Sequence, residues 1–102
     1  MGYPCQTMIA LLVQYTLRPG AEKQALEYIR KMQEHTRREP GCRLYVGQQS
    51  LEDPRRFCFY EQYDNQAALE AHRAAPYFHE YVTEGMAKLK ETVTRELFAP
   101  VE

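Results

Sequence analysis

Three observations in this 102-residue sequence predict an α+β fold. Apolar residues alternate with period two in four separate stretches, and they recur every three or four residues in the stretches between. The resulting order is strand, helix, strand, strand, helix pair, strand. That split βαβ order is the ferredoxin-like sandwich, a four-stranded antiparallel sheet with helices on one face. It takes in residues 1–102 as a single domain, with tails at 1–6 and 99–102.

The first strand is read from Thr7 to Leu17, where Ile9, Leu11, Val13, Tyr15 and Leu17 point one way and Met8, Ala10, Leu12, Gln14 and Thr16 the other. Both faces start apolar, so the strand predicts cover on both sides of the sheet. Arg18-Pro19-Gly20 then opens a helix of about 18 residues, in which Ala25, Leu26, Ile29, Met32 and Thr36 form one stripe. Glu22 near its start and His35, Arg37 and Arg38 near its end suit the helix dipole, and this basic cluster is read as a solvated helix end. Pro40-Gly41 stops it.

Cys42 to Ser50 reads as the second strand, with Leu44 and Val46 opposite Arg43, Tyr45 and Gly47. Pro54, in the turn Leu51 to Arg55, lacks a ladder donor, so the chain reverses there into a hairpin. The third strand, Arg56 to Tyr63, sets Phe57, Phe59, Glu61 and Tyr63 against Cys58, Tyr60 and Gln62, with aromatic residues on both faces. Asp64 or Asn65 caps the next helix, whose apolar positions are Ala68, Leu69, Ala71 and Ala75. His72, three residues after Leu69, shares their inward stripe. Pro76 begins another helix, with Phe78, Val82, Gly85, Met86 and Leu89 at helical spacing, and Glu91 to Phe98 is the fourth strand.

Composition excludes several classes. Thirteen basic and 14 acidic residues, a net charge of -1, give no broad field for nucleic acid or an anionic membrane. Apolar runs stay short of the roughly 18 to 20 residues of a membrane span, and MGYPCQT is no secretory signal, so a cytoplasmic protein is expected. Cys5, Cys42 and Cys58 have no CxxC spacing and are expected as reduced, buried thiols. The three histidines share no ligand spacing with carboxylates and no Gly-rich loop follows a strand, so neither a metal site nor a nucleotide or flavin phosphate site is expected. Because strands one and three are apolar on both faces, the uncovered face is expected to pack on a second copy as a sheet-to-sheet homodimer.

EPGC at 39–42, RF at 56–57, YEQY at 60–63, AALEAH at 67–72 and P-x-F at 76–78 resemble, in order and spacing, the antibiotic biosynthesis monooxygenase family of dimeric α+β barrel proteins, which includes quinol monooxygenases. The resemblance implies a sheet-to-sheet dimer, a pocket between sheet and helices, and oxidation of a quinol or polyphenol by molecular oxygen with no flavin, haem or metal cofactor. Such chemistry needs a base, a water-excluding pocket and donors for the developing oxyanion. His72 is the candidate base. Tyr60 and Tyr63 are candidates to orient substrate oxygens, and Phe57, Phe59 and Phe78 to wall the pocket. Since Tyr60 and Tyr63 alternate along the strand, at most one faces the pocket, and the sequence does not say which. His79 is expected at the surface or rim.

Departures narrow the resemblance. Polyketide-oxidising members carry Asn at the position of Phe59 and Trp at that of Tyr63, so their substrate contacts do not carry over. Haem-degrading relatives use residues that correspond to Val13, His72 and Val82, a set that lacks the haem ligand. The YExY strand with a helical His72 is also similar to members that isomerise a phosphorylated autoinducer. A cofactor-free isomerase therefore stays as the alternative, with Arg43, Arg55, Arg56 or Arg73 as its phosphate-binding candidates. A non-catalytic dimeric ligand-binding module is the third reading.

Overall fold

The computed structural model describes residues 7–101; the expected leader at 1–6, with Cys5, lies outside them. Strand β1 (Ile9–Leu17) is followed by helix α1 (Glu22–Thr36), strands β2 (Cys42–Gln49) and β3 (Arg56–Tyr63), helix α2 (Gln66–Ala74), a helical run from Pro76 to Leu89 that we call α3, and strand β4 (Lys90–Phe98). The four strands form one antiparallel sheet in the order β2-β3-β1-β4. This is the expected ferredoxin-like arrangement.

Pleating decides which side chains meet. Tyr45 on β2 lies opposite Glu61 on β3, which lies opposite Leu11 on β1; in the next inward row Gly47, Phe59, Val13 and Arg95 are aligned across all four strands. Ile9, Leu11, Val13, Tyr15, Leu17, Phe57, Phe59 and Tyr63 are buried on this face and join Ile29, Met32, Leu69 and Met86 from the helices in one core. The opposite face carries Leu12, Leu44, Val46, Tyr60 and Phe98, with Leu44 39% and Phe98 44% exposed, so this chain leaves it uncovered.

Several element details depart from expectation. Helix α1 has 15 residues, and Leu26 is only half-buried beside the buried Ala25, Ile29, Met32 and Thr36. Arg37 is not merely solvated: its Nε and Nη2 donate to the Tyr45 carbonyl at 3.2 and 3.0 Å, fastening the helix end to β2. Of the two expected caps it is Asn65 that caps α2, its Oδ1 accepting from the Ala68 amide at 2.9 Å, while Asp64 pairs with Arg43 at 2.6 Å. Ala71 faces solvent; Leu69 and His72 are the buried residues of α2. Cys42 and Cys58 are free thiols but half-buried, and burial raises the pKa of both, Cys42 to about 11. A raised pKa leaves less thiolate and so makes each a weaker nucleophile.

The α3 run departs furthest. Ala75 is extended (φ -67°, ψ 141°), as the residue before a proline tends to be, and separates α2 from α3. After one α-helical turn, Pro76–Phe78, the backbone widens into a π-helix, His79–Met86, and closes with Ala87–Leu89. The Ala87 amide donates to the Val82 carbonyl five residues back. Wider turns align residues four and five apart, so Phe78, Val82 and Met86 share one side and face the sheet.

Candidate functional site

The site begins at the turn that ends α1. Gly41 packs so tightly on α2 that a Cβ there would lie 2.5 Å from the Ala68 Cβ, and the Asp64 amide donates to the Gly41 carbonyl at 2.9 Å. Glycine is needed for that approach. Pinned this way, the Glu39-Pro40-Gly41 turn sets the Glu39 carboxylate against His72, 33 positions away in sequence.

His72 is 2% exposed and ringed by Tyr45, Tyr63 and Phe78, with ring centroids at 5.8, 5.1 and 5.2 Å. Its Nδ1 lies 3.0 Å from Glu39 Oε2, and the Tyr77 hydroxyl donates to the same oxygen. A carboxylate only accepts, so Nδ1 carries the imidazole proton and the Nε2 lone pair is left facing the cavity. Tyr77 is held in turn by His35, stacked on it at 4.8 Å. Burial lowers the His72 pKa, with the bond to Glu39 acting against it, so the ring is neutral at physiological pH.

Glu61 stands across the cavity, its Oε1 3.8 Å from His72 Nε2 and 2.7 Å from the Tyr63 hydroxyl that donates to it. Burial pushes its carboxyl up to about 7, despite the Tyr63 hydrogen bond and the positive charge of Arg73 and Arg95. Burial likewise raises the hydroxyls of Tyr45 and Tyr15. These groups line an enclosed space of about 40 Å³, walled by Leu11, Val13, Phe59, Phe78, Val82 and Met86 and opening beside Arg73 and Arg95. That holds about three waters. An aromatic ring is larger than that, so side chains of the lining, among which Phe78 and Val82 are half-buried, must shift to admit one.

Of the residues singled out from sequence, His72, Phe59 and Phe78 meet at this cavity, and Tyr63 reaches it through Glu61. Tyr60 does not: it lies on the uncovered face, where its hydroxyl accepts from Gln62 Nε2 at 3.1 Å. Phe57 is buried in the core but away from the cavity lining. His79 is exposed, 3.6 Å from Glu84. Of the four arginines considered for phosphate, only Arg73 lines the cavity. Sequence reasoning missed Glu39, Glu61, Tyr77, Tyr45 and Arg95. Of these Glu61 left the most direct signal, a carboxyl in register with Phe57, Phe59 and Tyr63, but alternation alone leaves open which face is inside. Among the described residues no group of three or more metal-binding side chains is placed to hold an ion, and no helix is long and apolar enough to cross a membrane.

The family model for antibiotic biosynthesis monooxygenase matches residues 8–84, which include every residue of the Glu39–His72–Glu61 cluster. The chain belongs to the antibiotic biosynthesis monooxygenase family. Among solved structures it is similar to one described as an antibiotic biosynthesis monooxygenase, at 30% identity and a TM-score of 0.85, over 92% of this chain and 99% of that one. Protein SO0527 from Shewanella oneidensis is similar at 26% identity and a TM-score of 0.87, over 93% of this chain and 92% of that one. The uncharacterized protein sll1783 from Synechocystis sp. is 33% identical over 66 residues, 65% of this chain. The match spans 45% of that relative's length. Membership of the family points to a small-molecule monooxygenase-like or ligand-binding role.

Proposed function

We propose that this family member oxidises a quinol or polyphenol with molecular oxygen and needs no resident cofactor, with His72 as the base. The observation that carries the reading is the Glu39–His72 pair: a buried, neutral imidazole whose tautomer is fixed and whose Nε2 lone pair faces an apolar cavity. Proximity of that kind converts a weak base into an effective one.

Nε2 takes the proton of a substrate hydroxyl, and the electron-rich phenolate passes one electron to oxygen. The two radicals join in a carbon–oxygen bond to give a peroxide anion. Nε2 returns its proton to the distal peroxide oxygen, and loss of water, with the hydrogen from the same carbon, leaves a carbonyl. One oxygen atom stays in the product and the other leaves as water. Tyr45, whose hydroxyl stays protonated through burial, is a donor suited to the developing oxyanion.

We place the working molecule as a homodimer through the uncovered sheet face, for which the apolar side chains Leu12, Leu44, Val46 and Phe98 are the support. The reading is tested by oxygen uptake of desalted, metal-stripped protein offered hydroquinones and anthrone-like phenols, beside His72→Asn. Uptake above autoxidation that falls in the variant is expected. Uptake unchanged by the substitution removes His72 from the chemistry, and no uptake with any of these phenols overturns the oxygenase reading in favour of isomerisation or binding.

A further inference from the structure

Around the mouth of the cavity the charge is of one sign. Arg73 on α2 and Arg95 on β4 are exposed, yet both line the cavity that holds His72. A depression of about 250 Å³ continues outward from it, sharing Tyr15, Phe78, Val82 and Arg95 and adding Lys90 and Thr83, with no carboxylate in its lining. Among the described residues none of Arg73, Lys90 and Arg95 takes part in an ion pair, whereas Arg43 is paired with Asp64 and Arg55 with Asp53 and Glu91. Solvated surface arginines usually spread over a surface. Here Arg95 lines both spaces, with Lys90 beside it in the outer one and Arg73 in the inner one. The carboxyl that lines the inner cavity, Glu61, is buried and engaged by the Tyr63 hydroxyl.

The geometry points to a substrate that carries an anionic substituent, a carboxylate or a phosphate, held by Arg95 and Lys90 in the outer depression while its phenolic ring enters past Arg73 toward His72. The identity of the ring rests on the oxidation proposed above; the anion site rests on the entrance alone. A planar guanidinium matches either anion with two parallel hydrogen bonds, and Lys90 adds a point charge. Anchoring the ligand from outside also lets its ring displace Phe78 and Val82 without losing hold.

Anaerobic calorimetry, in which binding is read without turnover, tests this with 2,5-dihydroxybenzoate, its methyl ester, 4-hydroxyphenyl phosphate and hydroquinone. The anionic phenols are expected to bind about tenfold or more tightly than the neutral ones, since hydrogen bonds to charged groups carry that much discrimination. Their relative affinities distinguish carboxylate from phosphate. The advantage is expected to shrink with added salt and to disappear in the double variant Lys90→Gln/Arg95→Gln. Equal affinity for the acid and its ester, an anion preference that survives the double variant, or no binding by any of the four overturns the anion site. Oxygen uptake on the same compounds separates the two proposals. Selective binding of the anions without uptake leaves the anion site standing and sinks the oxidation, while uptake of neutral quinols with no anion preference does the reverse.

Discussion

Replacing Glu61 with glutamine should stabilise the domain at alkaline pH and leave it nearly unchanged in acid. Burial raises this carboxyl from its ordinary 4.5 to about 7, against the opposing hydrogen bond from Tyr63. Between those values the native protein holds a proton that the unfolded chain has released, so stability falls as pH rises through the window and the loss is complete above about 7. A span of about 2.5, from 4.5 to about 7, at 1.36 kcal/mol per pH unit is about 3 kcal/mol. That is a large share of the roughly 5–15 kcal/mol that holds a typical domain folded. Glutamine keeps the length and an oxygen for the Tyr63 hydroxyl but has no charge to desolvate. His72 works in the opposite sense: its pKa is lowered on folding, so its own contribution rises with pH as the unfolded chain loses its proton near 6.5. Present in both proteins, it cancels in the difference. Urea denaturation of the two proteins should therefore give equal stability near about pH 4 and a variant more stable by about 3 kcal/mol near about pH 8. A difference that does not change with pH, or a variant less stable in alkali, refutes the claim that Glu61 is held in an unfavourable charge environment.

Glu39→Gln removes the charge beside Nδ1 and presents an amide that can either accept from or donate to it, so the His72 proton is no longer fixed on Nδ1. Turnover of a responsive quinol should drop about 10²- to 10⁴-fold, and the acid limb of the pH–rate profile should move lower because Glu39 raises the His72 pKa; an unchanged profile refutes the pairing. Gly47→Ala places a Cβ 2.7 Å from Ile29 Cγ2, between α1 and β2, and should cost about 1–3 kcal/mol in chemical denaturation, with a neutral result showing that the two elements do not meet that closely. Sedimentation at low micromolar concentration should give twice the 12.0 kDa of one chain, and Leu44→Glu/Phe98→Glu should give single chains; a wild-type protein already at 12.0 kDa sinks the sheet-to-sheet dimer.

The fold was legible because its signals are local. Period-two alternation assigns each strand residue to a face, and Leu69 to His72 is one helical step, so both reached their places from spacing alone. What alternation leaves open is which face is inside. Strand β3 carries aromatic residues on both, so Tyr60 and Tyr63 were interchangeable until the helices chose a side, and Glu61 was ambiguous with them. Glu39 was invisible for another reason. Its meeting with His72 depends on the Gly41–Ala68 contact, a tertiary approach that no window of sequence contains. The π-helix was equally hidden, since the spacing of Phe78, Val82 and Met86 fits an α-helix nearly as well as the wider turn that forms.

Glu39 and Glu61 divide one histidine between two environments. In water a carboxyl group, at 4.5, gives its proton to an imidazole, at 6.5, and the two form an ion pair. Inside this cavity burial works against that ion pair: it lifts Glu61 to about 7 and pulls His72 below its usual value, so both side chains are driven toward their neutral forms. The imidazole is thereby left neutral with its lone pair free, while Glu39 on the far side keeps that lone pair on Nε2. The two carboxyls act on different nitrogens: Glu61 lies 3.8 Å from Nε2, and Glu39 holds Nδ1 at 3.0 Å. A buried histidine flanked in this way is poised to accept a proton from a ligand and to pass it on, which a histidine serving only the core has no need to do.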